Sequence, residues 1–300
     1  MEYSINTFEK LLNTCKKENK KIYEIMQEKE AYDFEKSVQD VRNKTENILI
    51  AMKQAINRGL KSKEKSSSGL CGDDCNKLIE KYKKHKSLFG ELFEKIVSYA
   101  IATMEENLRM NKIAACPTAG SCGIVPAVII SLSEKYKLDK EEEINALITA
   151  GTIGYVFSAK IPMAGAVGGC QTECGAASAM AAAGAVYIMG GNEKQIINAA
   201  ALALKNILGL TCDPVSGLVE IPCVKRNAFL AIHAITAAEL TMANIESKIP
   251  ADEIIDAMLQ TGQLMSPLLK ETSQGGLALT KSGILINREL SNKYSVTEGT

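Results

Sequence analysis

A chain of 300 residues with 46% hydrophobic and 23% charged side chains is long enough to bury a large core and too apolar to be disordered. Its 35 basic and 35 acidic residues cancel, which removes the electrostatic reason to expect nucleic acid or an anionic membrane as partner. Nine cysteines, an odd number, argue against a disulfide framework, and the charges scattered through MEYSINTFEKLL leave no apolar signal region, so a reduced cytoplasmic protein is expected.

The pattern is mainly α. FEKLLNTC and VRNKTENILIAMKQAINRGL space their apolar residues as two amphipathic helices, the second ending near Gly59. KSKEKSSSGLCGDD has no hydrophobic period and reads as a loop, more simply a flexible linker than a polar site. It sets an N-terminal helical region, residues 1–65, apart from a larger helical domain, residues 66–300, unless the two form a single domain. Leu78 to Met110 is helical. CPTAGSCGIVPAVIISL is a loop feeding a helix, and EEEINALITAGTIGYVFSA is a helix whose acidic start suits the helix dipole. IPMAGAVGGC is a glycine-rich loop, and QTECGAASAMAAAGAVYIM an alanine-rich buried helix. NEKQIINAAALALKNILGL (ending near Gly209), NAFLAIHAITAAELTMANI and DEIIDAMLQTGQLM complete the helices, and ETSQGGLALTKSGILINREL is a glycine-rich tail of mixed character. Among the apolar runs, Ile113–Leu132 is broken by Pro117 and Pro126, while Ile144–Ala159 and Ala176–Met189 fall short of the roughly 18 to 20 residues a membrane span needs. Without tryptophan, the core is aliphatic and small, which favours close helix packing.

Cys170, Cys212 and Cys223 sit in loops or at helix boundaries, in GGCQTE, LTCDPV and IPCVKRN, where proline and glycine fix the backbone and let a ligand approach. Their 41 and 10 intervening residues match neither a zinc finger nor a ferredoxin, so the spacing leaves metal binding and simple packing both open. Cys174, four residues after Cys170, could share its helix face as a second pairing, though a small residue opening a buried helix explains it more simply. Cys116 and Cys122 fit packing or helix entry, and Cys15, Cys71 and Cys75 have no distinguishing setting. PTAGSCG converges backbone N–H groups and hydroxyls at the start of an apolar helix, an arrangement suited to a carboxylate, though Thr118 or Ser121 as a plain cap explains it as well. His85 lies in the solvated run KYKKHK and His233 in an apolar helix. Lys225 is a weak candidate for a Schiff base.

Together CPTAGSCGIVPAV, GGCQTECGAASAMAAAG and LTCDPVSGLVEIPCVKRNA, in that order and spacing, closely resemble the alpha chain of the iron-sulfur-dependent L-serine dehydratases, from about residue 1 to Gly276. The resemblance implies a lyase that converts L-serine to pyruvate and ammonia, in amino-acid degradation and gluconeogenesis. It implies a [4Fe-4S] cluster held in residues 66–300 by Cys170, Cys212 and Cys223, with one iron open. It also implies that Thr118, Gly120 and Ser121, aided by Lys112, hold the substrate carboxylate, and that a separate beta chain completes a heterodimer and supplies the base this chain lacks. An electron carrier or oxygen sensor is the non-catalytic alternative.

Overall fold

The computed structural model describes residues 3–297, with side chains through residue 293. Among these are thirteen α-helices and no strand beyond two isolated bridges, so the mainly α expectation is met. The N-terminal region holds three helices rather than two: α1 (Phe8–Glu18), α2 (Ile22–Asp33) and α3 (Val38–Gly59). α2 escapes a search for periodicity because IYEIMQEKEAYD mixes charge into its inner face. Lys29 is buried there, its ammonium 2.6 Å from Asp33 and above the Tyr155 ring. Thr7 caps α1 by accepting from the Lys10 amide at 3.1 Å, and Ser37 and Asp40 form a capping box on α3.

The KSKEKSSSGLCGDD segment is a loop, but a seated one rather than a flexible linker. The Ser66 hydroxyl donates to Glu220 at 2.8 Å, and the Ser66 amide donates to the Cys71 carbonyl at 2.9 Å. Leu78 to Met110 divides into α4 (Asp74–Lys84) and α5 (Glu91–Leu108), because KSLFG interrupts the helix with Gly90 at φ 82°. Asp73 makes no side-chain cap for α4. The buried Glu105 of α5 does so instead, accepting from the Asp74 amide at 2.7 Å while Arg109 lies 3.3 Å away.

α6 (Ile124–Tyr136) and α7 (Lys140–Ser158) follow as expected, and the glycine-rich loop contains a single turn, α8 (Gly165–Gly168). Then come α9 (Cys170–Ile188), α10 (Glu193–Lys205), α11 (Cys223–Met242) and α12 (Ala251–Leu264). α9 is the axis of the molecule and packs against α6, α7, α10 and α11. From Cys170 to Val186 every residue is buried except Glu173, which is partly buried. A helix built from alanine, glycine and serine has neither a polar face to solvate nor bulk to hold neighbours away, so it takes the centre. Residues from both ends of the chain, among them Ile25, Met52, Ile129 and Ile255, join one continuous core. The amides of Phe8 and Glu9 also donate to the Asp252 carboxylate of α12 at 3.1 and 3.0 Å.

The tail read as mixed contains a 17-residue helix, α13 (Lys281–Thr297), with the Thr280 hydroxyl accepting from the Gly283 amide at 3.1 Å as its cap. Among the described residues no helix is long and apolar enough to cross a membrane.

Candidate metal centre

The first turn of α9 sets the centre. Gly169, at φ 80°, turns the chain into the helix, and positions i, i+3 and i+4 then bring Cys170, Glu173 and Cys174 to adjoining faces. Gln171 locks that turn: its Nε2 donates to the carbonyls of Gly168 and Met258 at 3.0 and 3.1 Å, and its Oε1 accepts from the Gly209 amide at 2.9 Å.

Cys212 reaches the centre from the loop after α10, braced by the tail. Its amide donates to the Leu269 carbonyl at 2.8 Å, and its carbonyl accepts from the Glu271 amide at 2.7 Å. Asp213 beside it accepts from the Leu277 amide at 2.9 Å and lies 3.3 Å from Arg226. In this arrangement Cys170 Sγ, Cys212 Sγ and a carboxylate oxygen of Glu173 lie within 4.8 Å of one another, a set that can hold a metal ion. Cys223, buried at the first position of α11, stands outside that group but responds to the charges of Cys170 and Glu173. Cys174, assigned above to packing, places its sulfur 3.4 Å from that of Cys170.

The surroundings make room for a bound group. A Cβ on Gly165 would sit 2.9 Å from Cys212 Sγ and 3.1 Å from Glu173 Oε2, and one on Gly120 would sit 2.6 Å from Glu173 Oε1. Buried sulfur donors with one carboxylate, walled by glycine, fit an iron-sulfur group, since soft thiolate ligands select such clusters.

Charge is organised around Cys170. Its thiol is held well below the ordinary value, first by its hydrogen bond with Cys174 and then by that with Cys212, with the Arg226 guanidinium acting in the same direction. Cys174 and Cys212 move upward, first through their hydrogen bonds with it and then through burial. Burial, and then the Cys170 charge, pushes Cys223 up to about 12. Burial raises Glu173 to about 7, against the lowering effect of its hydrogen bond from Thr118.

The predicted anion loop abuts this centre. Residues 119–121 form a 3-10 turn ahead of α6 in which Gly120 and Ser121 are buried. The Thr118 hydroxyl, expected to face a substrate, donates here to Glu173 Oε1, and it lies 3.0 Å from Ser121 Oγ. Asn227 of α11 fastens the loop. It accepts from the Gly123 amide at 3.0 Å and donates to the carbonyls of Gly120 and Cys223 at 2.8 and 3.0 Å. Asn227→Ala should leave these buried groups unpaired and destabilise the protein by about 3 kcal/mol, seen as a lower denaturant midpoint at unchanged slope. The Lys112 side chain is exposed, and its carbonyl accepts from Arg58 at 2.5 Å.

The remaining candidates lie in other settings. Cys116 and Cys122 are buried, and burial pushes both up to about 12, as expected of packing thiols. His85 is exposed at the end of α4, His233 Nε2 donates to the Ala203 carbonyl at 2.9 Å, and Lys225 pairs with Asp74 at 2.5 Å. A cleft of about 570 Å³ between α1, α10 and the start of α12 contains none of the cysteines. Sequence reasoning missed Glu173, Arg226 and Asn227. The signal for Glu173 was its i+3 spacing from Cys170; Arg226 and Asn227 are likewise three and four residues after Cys223.

A sequence profile of the family described as serine dehydratase alpha chain matches residues 17–278. The chain is 44% identical over 283 residues to a Bacillus subtilis protein named "Probable L-serine dehydratase, alpha chain", covering 94% of this chain and 93% of that one. It is 37% identical over 285 residues to the L-serine dehydratase alpha chain of Peptoniphilus asaccharolyticus, covering 95% and 98% of the two chains. Against an L-serine dehydratase of Helicobacter pylori, identity is 34% over 290 residues, covering 93% of this chain but 62% of the relative. Because the matched span takes in both the thiol-bearing turn of α9 and the segments that brace it, the chain belongs to the serine dehydratase alpha chain family.

Proposed function

We propose that this chain is the catalytic alpha chain of an iron-sulfur-dependent L-serine dehydratase, acting in the cytoplasm to convert L-serine to pyruvate and ammonia for amino-acid degradation and gluconeogenesis. The observation that carries this reading is the convergence of Cys170, Cys212 and Glu173 beside the Thr118 loop, in a chain of this family. A [4Fe-4S] cluster held by Cys170, Cys212 and Cys223 supplies, when bound, an iron free of protein thiolate that acts as a Lewis acid toward the substrate hydroxyl.

The chain's own residues do the positioning. Gly120, Ser121 and Thr118 offer amide and hydroxyl donors to the substrate carboxylate at the entry to α6, and Lys112 adds positive charge from the surface. Asn227 holds that loop at a fixed distance from Cys223 through their shared hydrogen bonds, so carboxylate and hydroxyl are engaged together. Loss of the α-proton and of the hydroxyl gives water and aminoacrylate, which tautomerises and hydrolyses to pyruvate and ammonia.

The base comes from a separate beta chain. Supporting this, the Helicobacter pylori relative extends well beyond the matched span, and the tail that braces Cys212 and Asp213 carries exposed leucines, Leu268 at 49% and Leu279 at 57%. Purified anaerobically, the protein should be brown; its activity with the beta chain should decay in air and return with ferrous iron and reductant. Full activity after prolonged aeration, or a yellow band bleached by borohydride as for pyridoxal phosphate, would sink the reading.

A further inference from the structure

Glu173 is a carboxylate with no ion pair among the described residues, and its side chain takes one hydrogen bond, from Thr118. A largely buried carboxylate of this kind is normally paired or bound to a metal. Its two oxygens face different neighbours. Oε1 holds the Thr118 hydroxyl beside Gly120, while Oε2 lies against Gly165, on the side where Cys212 Sγ also comes. An acidic residue in a first helical turn is favourable for the dipole alone. The dipole does not explain why two glycines, on separate loops, are both needed to admit this carboxylate, nor why one of its oxygens is directed toward the thiols.

Resting on the cluster reading above, we propose that Glu173 is the fourth protein ligand of the metal group. In the absence of substrate, Oε2 takes the coordination position that Cys170, Cys212 and Cys223 leave open, while Oε1 stays on Thr118. The i, i+3 spacing presents Cys170 and Glu173 from one helical face, so a single rigid turn supplies both. A carboxylate oxygen is a harder donor than thiolate, which makes this ligand the exchangeable one. The Thr118 hydroxyl couples the exchange to binding: a substrate carboxylate that takes this donor removes the hydrogen bond that fixes Glu173. Glu173 thereby guards the vulnerable iron until substrate arrives.

The test uses the full chain, reconstituted anaerobically with isotopically labelled iron and sulfide, as wild type, Glu173→Ala and Glu173→Gln. Mössbauer spectra without substrate should show one oxygen-ligated iron in the wild type and an altered signature for that iron in both variants. Bleaching of the visible absorption in air should be several-fold faster in the variants. Circular dichroism checks folding, and if the alanine variant fails to fold, the glutamine variant of equal volume carries the test. A distinct-iron signature and bleaching rate unchanged in Glu173→Gln would overturn the assignment. A wild-type chain that assembles no cluster would instead overturn the cluster reading itself, a failure visible before any variant is compared.

Discussion

Cys212→Ser should give a folded, helical protein that takes up no stable cluster and consumes no L-serine in the presence of its partner. The fold should survive because the contacts that place this residue are made by its backbone, to Leu269 and Glu271, and serine keeps them. The metal group should not survive, because three thiolates are the fewest that hold the cube and serine oxygen is a poor substitute for soft sulfur. Cys170→Ser and Cys223→Ser should behave in the same way. Cys174→Ala should keep the cluster, with loading weakened by at most about tenfold, since its sulfur only neighbours that of Cys170, at 3.4 Å. Iron and acid-labile sulfide, measured beside circular dichroism, read the outcome, and iron content retained by the Cys212 variant would count against the ligand set.

The isolated chain, reconstituted with iron and sulfide, should form its cluster yet turn over L-serine at a small fraction of the rate reached after a beta chain is added. Removing a proton from carbon requires a positioned base, worth about 10² to 10⁴ in rate. The histidines here are poorly placed for it: His85 is exposed just after α4, and His233 is bound to the Ala203 carbonyl. Steady-state assays at fixed cluster content, with and without the partner, separate the two cases. Vigorous deamination by the isolated chain would put the base within this polypeptide.

How much of this was legible beforehand follows from what local sequence encodes. The alanine-rich composition of α9 announced a buried helix, and the acidic start of α7 announced its N-terminus, because both depend on neighbours in sequence. α2 was missed because its apolar face accepts a lysine neutralised by Asp33, which periodicity counts as solvent-facing. The tail was read as mixed because its purpose lies far away, in backbone bonds to Cys212 and Asp213. The same limit applied at the centre. Loop settings singled out Cys170, Cys212 and Cys223, and the family resemblance implied a ligand role for them, but the Thr118 to Glu173 hydrogen bond spans 55 residues and no motif spacing reveals it. Cys174 looked like filler because its sulfur matters only through its distance to another.

The position of Cys170 at the head of the most enclosed helix, with Cys212 on a loop propped by the tail, gives the centre an uneven local stability. Backbone opening costs most where burial is greatest and least in short braced loops, so the α9 turn belongs to the last structure to open and the Cys212 segment to a much earlier one. Repair is then a local event. On the cluster reading, exchange of a damaged cluster would need opening of the Cys212 side alone, while the α9 thiol and the helices packed around it would keep the mould for its replacement.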